Sequence, residues 1–170
     1  MLERIRTEAL LSVRAMELAG DPPVADKNTL LAHLTAQKVE HYLDLGTGAC
    51  YLAKSGIAEV VVAALQHFHE RRYRLQAWCV MPNHVHILFQ LFPGEKLSSV
   101  LHSWKSFTAK KCSDLLGTSG AFWQKEYYDH LVRNEGDLRR IVQYIVENPA
   151  KAGLRDWRWV WAHESPGGHK

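Results

Sequence analysis

The chain has 170 residues, and its composition already excludes several classes of protein. Apolar residues make up 46% and charged residues 23%, which is typical of a folded globular domain and not of a disordered segment. The 21 Lys and Arg residues exceed the 18 Asp and Glu residues by only three, so the protein is not a polycation. That excess lies in residues 101–170, which hold eleven basic and eight acidic residues, whereas residues 1–100 hold ten of each. Since affinity for phosphate depends on where the cations lie, a nucleic-acid partner stays open.

The cysteines and the first residues of the chain favour a reducing cellular compartment. Cys50, Cys79 and Cys112 lack the number and spacing of a disulfide framework or a zinc knuckle, which favours a reducing environment. The first six residues carry charges where a signal peptide needs an apolar stretch, and no window reaches the roughly 20 apolar residues of a membrane span. We therefore expect a cytoplasmic protein with no membrane partner.

The first part of the chain predicts mainly helices. Apolar residues recur at helical spacing over residues 2–19 and, more weakly, over residues 28–43. A glycine-containing turn then leads into a short strand predicted from Cys50 to Ala53. Residues 57–70 give the clearest helix of the chain, because their apolar positions form one stripe.

A β-hairpin is predicted in the middle of the chain. Tyr73 to Val80 forms one strand, Met81-Pro82-Asn83 the turn, and His84 to Leu91 the return strand. Alternation places His84, His86 and Leu88 on one face of the return strand. The opposite face carries Val85, Ile87, Phe89 and Leu91.

Two further helices follow the hairpin. The first has its apolar side at Leu97, Val100, Leu101, Trp104 and Phe107 and closes at Gly117. The second begins after Asn134 as N-cap and is predicted to end near Asn148, because Pro149 disfavours helical geometry in the residue before it. Beyond it, Trp157, Trp159 and Trp161 alternate as on a strand, with packing favoured over base stacking. This order of elements predicts an α+β sandwich with a central antiparallel sheet.

Two histidines in the hairpin are the first candidates for chemistry. His84 and His86 are two positions apart on a strand, so their side chains project from the same face with Cβ atoms roughly 7 Å apart. This arrangement suits two imidazoles that bind one divalent ion. Two half-buried histidines on a polar face would give the same pattern.

The last helix adds a second pair. Tyr144 and Asn148 are one turn apart and therefore share a side of the helix. A tyrosine hydroxyl and an amide oxygen so placed can supply a nucleophile and a third metal ligand. The alternative is that Tyr144 is an aromatic at the edge of the core and Asn148 a helix terminator.

Three motifs together resemble one family. In order, they are Met81-Pro82-Asn83-His84-Val85-His86, Phe122-Trp123-Gln124-x-x-Tyr127-Tyr128-Asp129-His130 and Tyr144-Ile145-x-x-Asn148-Pro149-x-x-Ala152-Gly153-Leu154. Their order resembles that of the REP-associated tyrosine transposases, which are single-tyrosine HUH transposases of bacterial insertion sequences. The resemblance runs from about Tyr42 to Trp161. It implies a ferredoxin-like α+β fold with the HUH motif on a strand of the sheet.

The resemblance also implies a reaction. His84, His86 and Asn148 match the metal ligands, and Tyr144 matches the nucleophile. The implied enzyme uses Mg²⁺ or Mn²⁺ to cleave and rejoin single-stranded DNA near hairpins through a 5′-phosphotyrosine intermediate. Two alternatives stay open, namely a non-catalytic hairpin-DNA binding protein of the same fold and a metal phosphodiesterase that uses water. Tyr127 and Tyr128 are rival nucleophiles, although no ligand lies at helical spacing from them.

Candidate DNA contacts lie mostly outside the histidine and tyrosine motifs. Lys105, Lys110 and Lys111 can neutralise phosphates, and a solvated helix face explains them equally well. Trp123 and Gln124 can stack on or hydrogen-bond an unpaired base, or pack against the core. Arg133 is a further candidate for a DNA contact.

The amino-terminal segment departs from the family pattern. Relatives begin with an aromatic-rich strand, whereas residues 1–40 contain no Phe, Tyr or Trp and are predicted to be helical. The expected organisation is a helical segment over 1–40, the transposase domain over 41–165 and a flexible tail over 166–170. A sheet without its first strand leaves an edge that favours pairing with a second copy, so a homodimer is one expected partner. The expected location is the bacterial cytoplasm, with the protein on the nucleoid when bound to DNA.

Overall fold

An antiparallel sheet with helices on both faces forms the described part of the chain. The structure is a computed structural model, and it describes residues 48–125, 127 and 131–163. Contacts divide the chain into units Met1–Thr47 and Gly48–Lys170, and all described residues belong to the second. The helices predicted over residues 2–19 and 28–43, the tail over 166–170 and Tyr128 lie outside the described residues.

The described elements agree with the predicted α+β class. In chain order they are a 3₁₀ helix (Tyr51–Ala53), α1 (Ser55–His67), β1 (Tyr73–Val80), β2 (Val85–Leu91), α2 (Leu97–Leu116), α3 (Glu135–Lys151) and β3 (Val160–Ala162). The three strands have the order β2-β1-β3, and both neighbouring pairs are antiparallel. The predicted central antiparallel sheet is therefore confirmed. None of the described helices is long and apolar enough to cross a membrane.

Two apolar clusters cover the two faces of the sheet. The first joins α1 and α2 to one face of β1 through residues such as Leu65, Leu75 and Trp104. The second joins α3 to the other face through Cys79 and Ile145, among others. The face of β2 that carries His86 therefore looks toward α3, because its strand neighbour Leu88 belongs to the second cluster.

A β-bulge in β1 sets which side chains point toward α3. The register with β2 shifts between Leu75 and Ala77, so Gln76 is the extra residue. In a regular strand, alternation would put Leu75 and Ala77 on the same face, so Ala77 would join Leu75 in the first cluster. The bulge instead places Ala77 and Cys79 beneath α3, on the same side as His86.

The predicted strand from Cys50 to Ala53 is wrong. Tyr51–Ala53 forms a 3₁₀ helix, closed by the amides of Ala53 and Lys54, which donate to the carbonyls of Cys50 and Tyr51. Leu52 is buried in the first cluster, and its amide donates to the carbonyl of Pro82 at 3.0 Å. This contact fastens the segment to the hairpin turn, so its backbone amide is satisfied without a strand partner.

The start of α3 agrees with the sequence, but its end does not. The side chain of Asn134 accepts a hydrogen bond from the amide of Asp137 at 2.9 Å, as expected for an N-cap. The helix continues through Pro149 to Lys151, so the end predicted near Asn148 is wrong. Asn148 and Pro149 are both buried, and the amide of Ala152 donates to the carbonyl of Asn148. Tertiary packing thus outweighs the local preference of the residue before proline.

Two aromatic predictions also need correction. The sequence predicts Phe107 on the apolar side of α2, but this residue is 49% exposed, because the buried stripe runs through Val100, Trp104, Thr108 and Cys112. The three tryptophans do not share one strand face. Trp157 precedes β3 and packs against the second cluster, whereas Trp159 and Trp161 pack against the first. The packing interpretation of these tryptophans agrees with these contacts.

A buried chain of hydrogen bonds links α2, β1 and α1. The indole Nε1–H of Trp104 donates to the hydroxyl of Tyr73 at 2.9 Å, and that hydroxyl donates to the carbonyl of Leu65 at 2.7 Å. Tyr73 is fully buried. Its hydroxyl is therefore the only atom of the side chain that must be satisfied by hydrogen bonds, and both partners lie in the core.

We expect Tyr73→Phe to lower the free energy of unfolding by about 1–3 kcal/mol, since it leaves an indole N–H and a carbonyl buried without this partner. Urea unfolding followed by circular dichroism measures the change. Tyr51→Phe is the matched control, because Tyr51 is 37% exposed and should change stability by less than about 0.5 kcal/mol. Equal stability of the two variants would show that the Tyr73 hydroxyl contributes nothing.

The three thiols are expected to differ in reactivity. Cys50 is exposed, whereas Cys79 and Cys112 are fully buried. Burial raises the pKa of Cys79 to about 12 and the pKa of Cys112 to about 11, so both stay protonated at neutral pH. Titration of the native protein with a thiol reagent should give one fast equivalent, at pH 7 and still at about pH 9, and three after unfolding. A second fast equivalent in the native protein would contradict this burial.

Candidate active site

The two histidines meet at the beginning of β2. The Nε2 atoms of His84 and His86 lie 2.8 Å apart, and their ring planes are nearly perpendicular. His84 is 8% exposed. On its other side, Nδ1 of His84 lies 2.8 Å from the side-chain oxygen of Asn83. The spacing of two residues on a strand thus brings both imidazoles to one point, as predicted.

Helix α3 adds Tyr144 and Asn148 to the same point. The ring of Tyr144 contacts the ring of His86 edge-on, with centroids 5.4 Å apart. Nδ2 of Asn148 lies 3.3 Å from Nε2 of His86, although the two residues are 62 positions apart in the chain. Asn148 is 2% exposed, so its amide belongs to the interior. The predicted residues of two motifs therefore form one cluster of two imidazoles, a phenol and an amide.

Hydrogen bonds alone do not satisfy this cluster. Because the oxygen of Asn83 only accepts, His84 donates from Nδ1 and, when neutral, presents a lone pair at Nε2. His86 would then have to donate from Nε2 to His84, which leaves it unable to accept from Asn148. Oδ1 of Asn148 is, among the described residues, the buried side-chain atom that has no hydrogen-bond partner. A divalent cation bound by the two ring nitrogens and this oxygen would satisfy all three, so the donor set fits a metal ion.

The electrostatics of the cluster agree with that donor set. Burial lowers the pKa of His84 to about 4, and burial together with the neighbouring His84 lowers the pKa of His86 to about 3. Both rings are therefore neutral at physiological pH, which is the form that binds metals. The described residues contain no cluster of three His, Cys, Asp or Glu side chains that could hold an ion. The third protein ligand of this site would be the amide of Asn148.

Lys151 is a neighbour of Tyr144 that the sequence did not single out. Its Nζ lies 5.6 Å from the centroid of the Tyr144 ring and 2.9 Å from a carboxylate oxygen of Glu147. The signal for this contact is the spacing of seven residues, which is two helical turns. A helix that ends near Asn148, as the sequence predicts, does not include Lys151, whereas the observed helix does.

Two of the proposed DNA-binding residues, Lys105 and Trp123, hold the loop that follows α2. Lys105 donates from Nζ to the carbonyls of Gln124 and Lys125, at 2.8 and 3.2 Å. Trp123 donates from Nε1 to the hydroxyl of Thr108 at 2.7 Å, and it packs against the first cluster. These contacts favour packing for Trp123 and a structural contact for Lys105. An open cavity of about 310 Å³ remains between α2 and residues 120–125, and Gln124 lines it.

The other proposed DNA contacts lie on the surface and away from the histidine cluster. Lys110 and Lys111 are exposed on α2, which packs on the opposite face of the sheet from α3. Arg133 is exposed and precedes α3, whose first residue Glu135 is nine residues and so roughly 14 Å along the helix from Tyr144. The rival nucleophile Tyr127 is 47% exposed, with Nζ of Lys105 5.7 Å from its ring. The structure therefore brings together His84, His86, Tyr144 and Asn148, and leaves these residues outside their cluster.

Comparisons with known proteins agree with the motifs. The sequence profile of the family described as "Transposase IS200 like" matches residues 52–148, which are more than half of the chain and contain the whole cluster. A REP-associated tyrosine transposase of Escherichia coli (strain K12) is 31% identical over 98 residues, covering 55% of this chain and 57% of that protein. A protein of Haemophilus influenzae named "Putative REP-associated tyrosine transposase" is 28% identical over 101 residues, covering 51% of this chain and 57% of that relative.

The fold, the cluster and the profile define the class of protein. An α+β domain with a histidine pair on its sheet and a tyrosine on the facing helix is what the sequence motifs predicted. The chain belongs to the IS200-like transposase family. It spans somewhat more than half the length of these two curated relatives, and no solved structure gives a significant match.

Proposed function

We propose that the chain is a metal-dependent transposase that cleaves and rejoins single-stranded DNA near hairpins, with Tyr144 as nucleophile. The observation that carries the proposal is the contact of Tyr144 and Asn148 with His86 across 58 and 62 positions of the chain. A phosphotyrosine reaction needs a phenol close to a metal ion, and here a phenol lies beside two imidazoles and an amide that suit such an ion. Family membership and the name of the Escherichia coli relative support the same reaction.

The proposed reaction exchanges one phosphodiester for another. The hydroxyl oxygen of Tyr144 attacks the phosphorus and forms a 5′-phosphotyrosine bond, while the bond to the 3′-oxygen breaks. The proton that the phenol loses is balanced by the proton that the leaving 3′-oxygen gains, so the products are the adduct and a free 3′-hydroxyl. Attack by the 3′-hydroxyl of a second strand reverses the step and rejoins DNA. No nucleotide cofactor is needed, because the tyrosyl bond keeps the energy of the phosphodiester.

His84, His86 and Asn148 are the residues that would hold Mg²⁺ or Mn²⁺ in this proposal. Such an ion supplies positive charge that offsets the negative charge of the scissile phosphate. Two imidazole nitrogens are softer ligands than carboxylates, so Mn²⁺ should serve at least as well as Mg²⁺. The described chain itself contributes neutral imidazoles, a buried amide and a ring contact between Tyr144 and His86.

The side chains that contact DNA are a further part of the proposal. Lys110, Lys111, Arg133 and Gln124 are exposed and remain candidates for phosphate or base contacts. Lys151, next to Tyr144, is a more direct candidate for a phosphate contact because it lies at the cluster itself. A homodimer and a DNA-bound state on the bacterial nucleoid are also proposed.

The experiment that tests the function is a trapping assay with labelled oligonucleotides. A hairpin with a single-stranded flank, incubated with the protein and Mn²⁺, should give a covalent species that survives denaturing electrophoresis. A shift only under native conditions would instead indicate a hairpin-binding protein. Cleaved product without a covalent species would indicate a phosphodiesterase that uses water.

A further inference from the structure

We infer that Asn83 is a positioning residue that holds His84 in the tautomer with its proton on Nδ1, which leaves the Nε2 lone pair directed at the cluster. The inference rests on the proposed metal site. It adds Asn83, which contacts Nδ1 of His84 on the side of the ring away from the proposed ligand atom Nε2. The carrying observation is the 2.8 Å distance between Oδ1 of Asn83 and Nδ1 of His84. An amide oxygen has no proton to donate, so the ring nitrogen that faces it must carry one.

Asn83 itself is held in place by the hairpin turn. The amide of Met81 donates to the carbonyl of His84 at 2.9 Å, which closes the turn around Asn83. The carbonyl of Pro82 accepts from the amide of Leu52 at 3.0 Å, which ties the turn to the 3₁₀ helix. The backbone is thus fixed on both sides of Asn83, and its side chain approaches His84 from a constrained position.

The tautomer matters because neutral imidazole has only one lone pair. If Nδ1 carries the proton, the lone pair is at Nε2, 2.8 Å from Nε2 of His86 and on the side of Asn148. The other tautomer would present an N–H to the same point and exclude a cation. The contact also prevents rotation of the His84 ring, whose plane lies at 89° to that of His86. A residue that accepts a hydrogen bond from the non-ligating nitrogen of a metal-binding histidine typically raises metal affinity by about 10- to 100-fold.

The variants Asn83→Leu and Asn83→Asp separate this role from simple packing. Leucine has a similar size but offers no acceptor, so the His84 tautomer is no longer fixed. Aspartate keeps the acceptor in the same place and should preserve the tautomer. Gln66→Leu is the matched control, because it removes an exposed amide from α1.

The first readout needs no metal and no activity. Long-range ¹H–¹⁵N spectra of the metal-free protein labelled at histidine report which nitrogen of His84 is protonated. We expect Nδ1–H in the wild type, Asn83→Asp and Gln66→Leu, and a mixture or Nε2–H in Asn83→Leu. A wild-type His84 protonated on Nε2 would overturn the inference.

The second readout is the binding of Mn²⁺ alone, measured by calorimetry. Asn83→Leu should bind about 10- to 100-fold more weakly, with Asn83→Asp and Gln66→Leu close to the wild type or tighter. Raising the Mn²⁺ concentration should restore adduct formation by Asn83→Leu, because the defect is in affinity. If Asn83→Leu does not fold, the wild-type tautomer and the retained affinity of Asn83→Asp decide the question.

The outcomes distinguish this inference from the function on which it rests. If the wild type and Asn83→Leu bind Mn²⁺ equally, the role of Asn83 is wrong and the metal site stands. If the wild type binds no Mn²⁺, the proposed metal site itself is wrong, whichever tautomer the spectra show. If Mn²⁺ binds but no adduct forms, the site is present and the proposed reaction is wrong.

Discussion

Replacement of Tyr144 by Phe is expected to abolish the covalent DNA adduct, with a loss of at least about 10³-fold in its rate of formation, because the attacking oxygen is gone. The variant should keep its fold. The ring that contacts His86 and packs on the second cluster is unchanged, and only the hydroxyl is removed. Quantification of the adduct on denaturing gels, with circular dichroism as a check of folding, measures both.

The control for this variant is Tyr127→Phe, which should form the adduct at the wild-type rate. Tyr127 is half exposed beside Lys105 and does not belong to the histidine cluster. Tyr128→Phe extends the control to the next residue of the motif that begins at Phe122. An adduct that persists in Tyr144→Phe and disappears in Tyr127→Phe or Tyr128→Phe would move the nucleophile to that tyrosine and overturn the assignment.

Asn148→Leu is expected to stabilise the metal-free protein while it removes metal binding. The amide oxygen of Asn148 is buried without a hydrogen-bond partner, which costs about 1–3 kcal/mol, and leucine fills a similar volume without that cost. At about 2–4 °C per kcal/mol for a chain of this size, Tm should rise by several degrees. The rise of Tm on addition of Mn²⁺ to the wild type should be absent from the variant.

Asn148→Asp supplies the opposite change at the same position. A carboxylate keeps a metal ligand but buries a charge, so the metal-free variant should be less stable than the wild type. Mn²⁺ should then raise its Tm by more than it raises that of the wild type. Lower stability of Asn148→Leu without metal, or a rise of its Tm with Mn²⁺, would show that Asn148 stabilises the fold and does not bind the ion.

The opposite effects expected for Asn148→Leu and Asn148→Asp have the same cause, which is the buried oxygen of Asn148 without a hydrogen-bond partner. A buried polar atom with no partner lowers stability, and it persists where function needs it. In this chain that atom is Oδ1 of Asn148 on α3, and Nδ2 of the same amide lies 3.3 Å from Nε2 of His86. Burial disfavours the charged forms of His84 and His86. The unpartnered oxygen of Asn148 therefore lowers the stability of the fold, and the proposed metal site gives a reason for its presence.

Local patterns in the sequence predicted much of the scaffold. The hairpin of β1 and β2, the closure of α2 at Gly117 and the N-cap at Asn134 all agree with the structure. Each depends on nearby residues, such as strand alternation, a glycine with positive φ, or a side chain three positions from an amide. The family was also evident, since three motifs in one order carry more information than any of them alone.

Features decided by distant contacts could not be predicted in the same way. The bulge at Gln76 and the 3₁₀ helix at Tyr51–Ala53 both depend on residues far along the chain. The amide of His163 donates to the carbonyl of Gln76, and the amide of Leu52 donates to that of Pro82. The continuation of α3 through Pro149 likewise follows from burial against the sheet, which local propensity does not contain.

The sequence by itself determined which side chains are chemically capable and which of them share a strand or a helix face. His84 pairs with His86, and Tyr144 with Asn148, through the periods of strand and helix alone. Only the tertiary structure brought the two pairs together, left the Asn148 oxygen without a partner and placed Asn83 behind His84. The reason is that periodicity acts over a few residues, whereas the packing of α3 against β1 and β2 joins positions some 60 residues apart and sets each distance in the cluster.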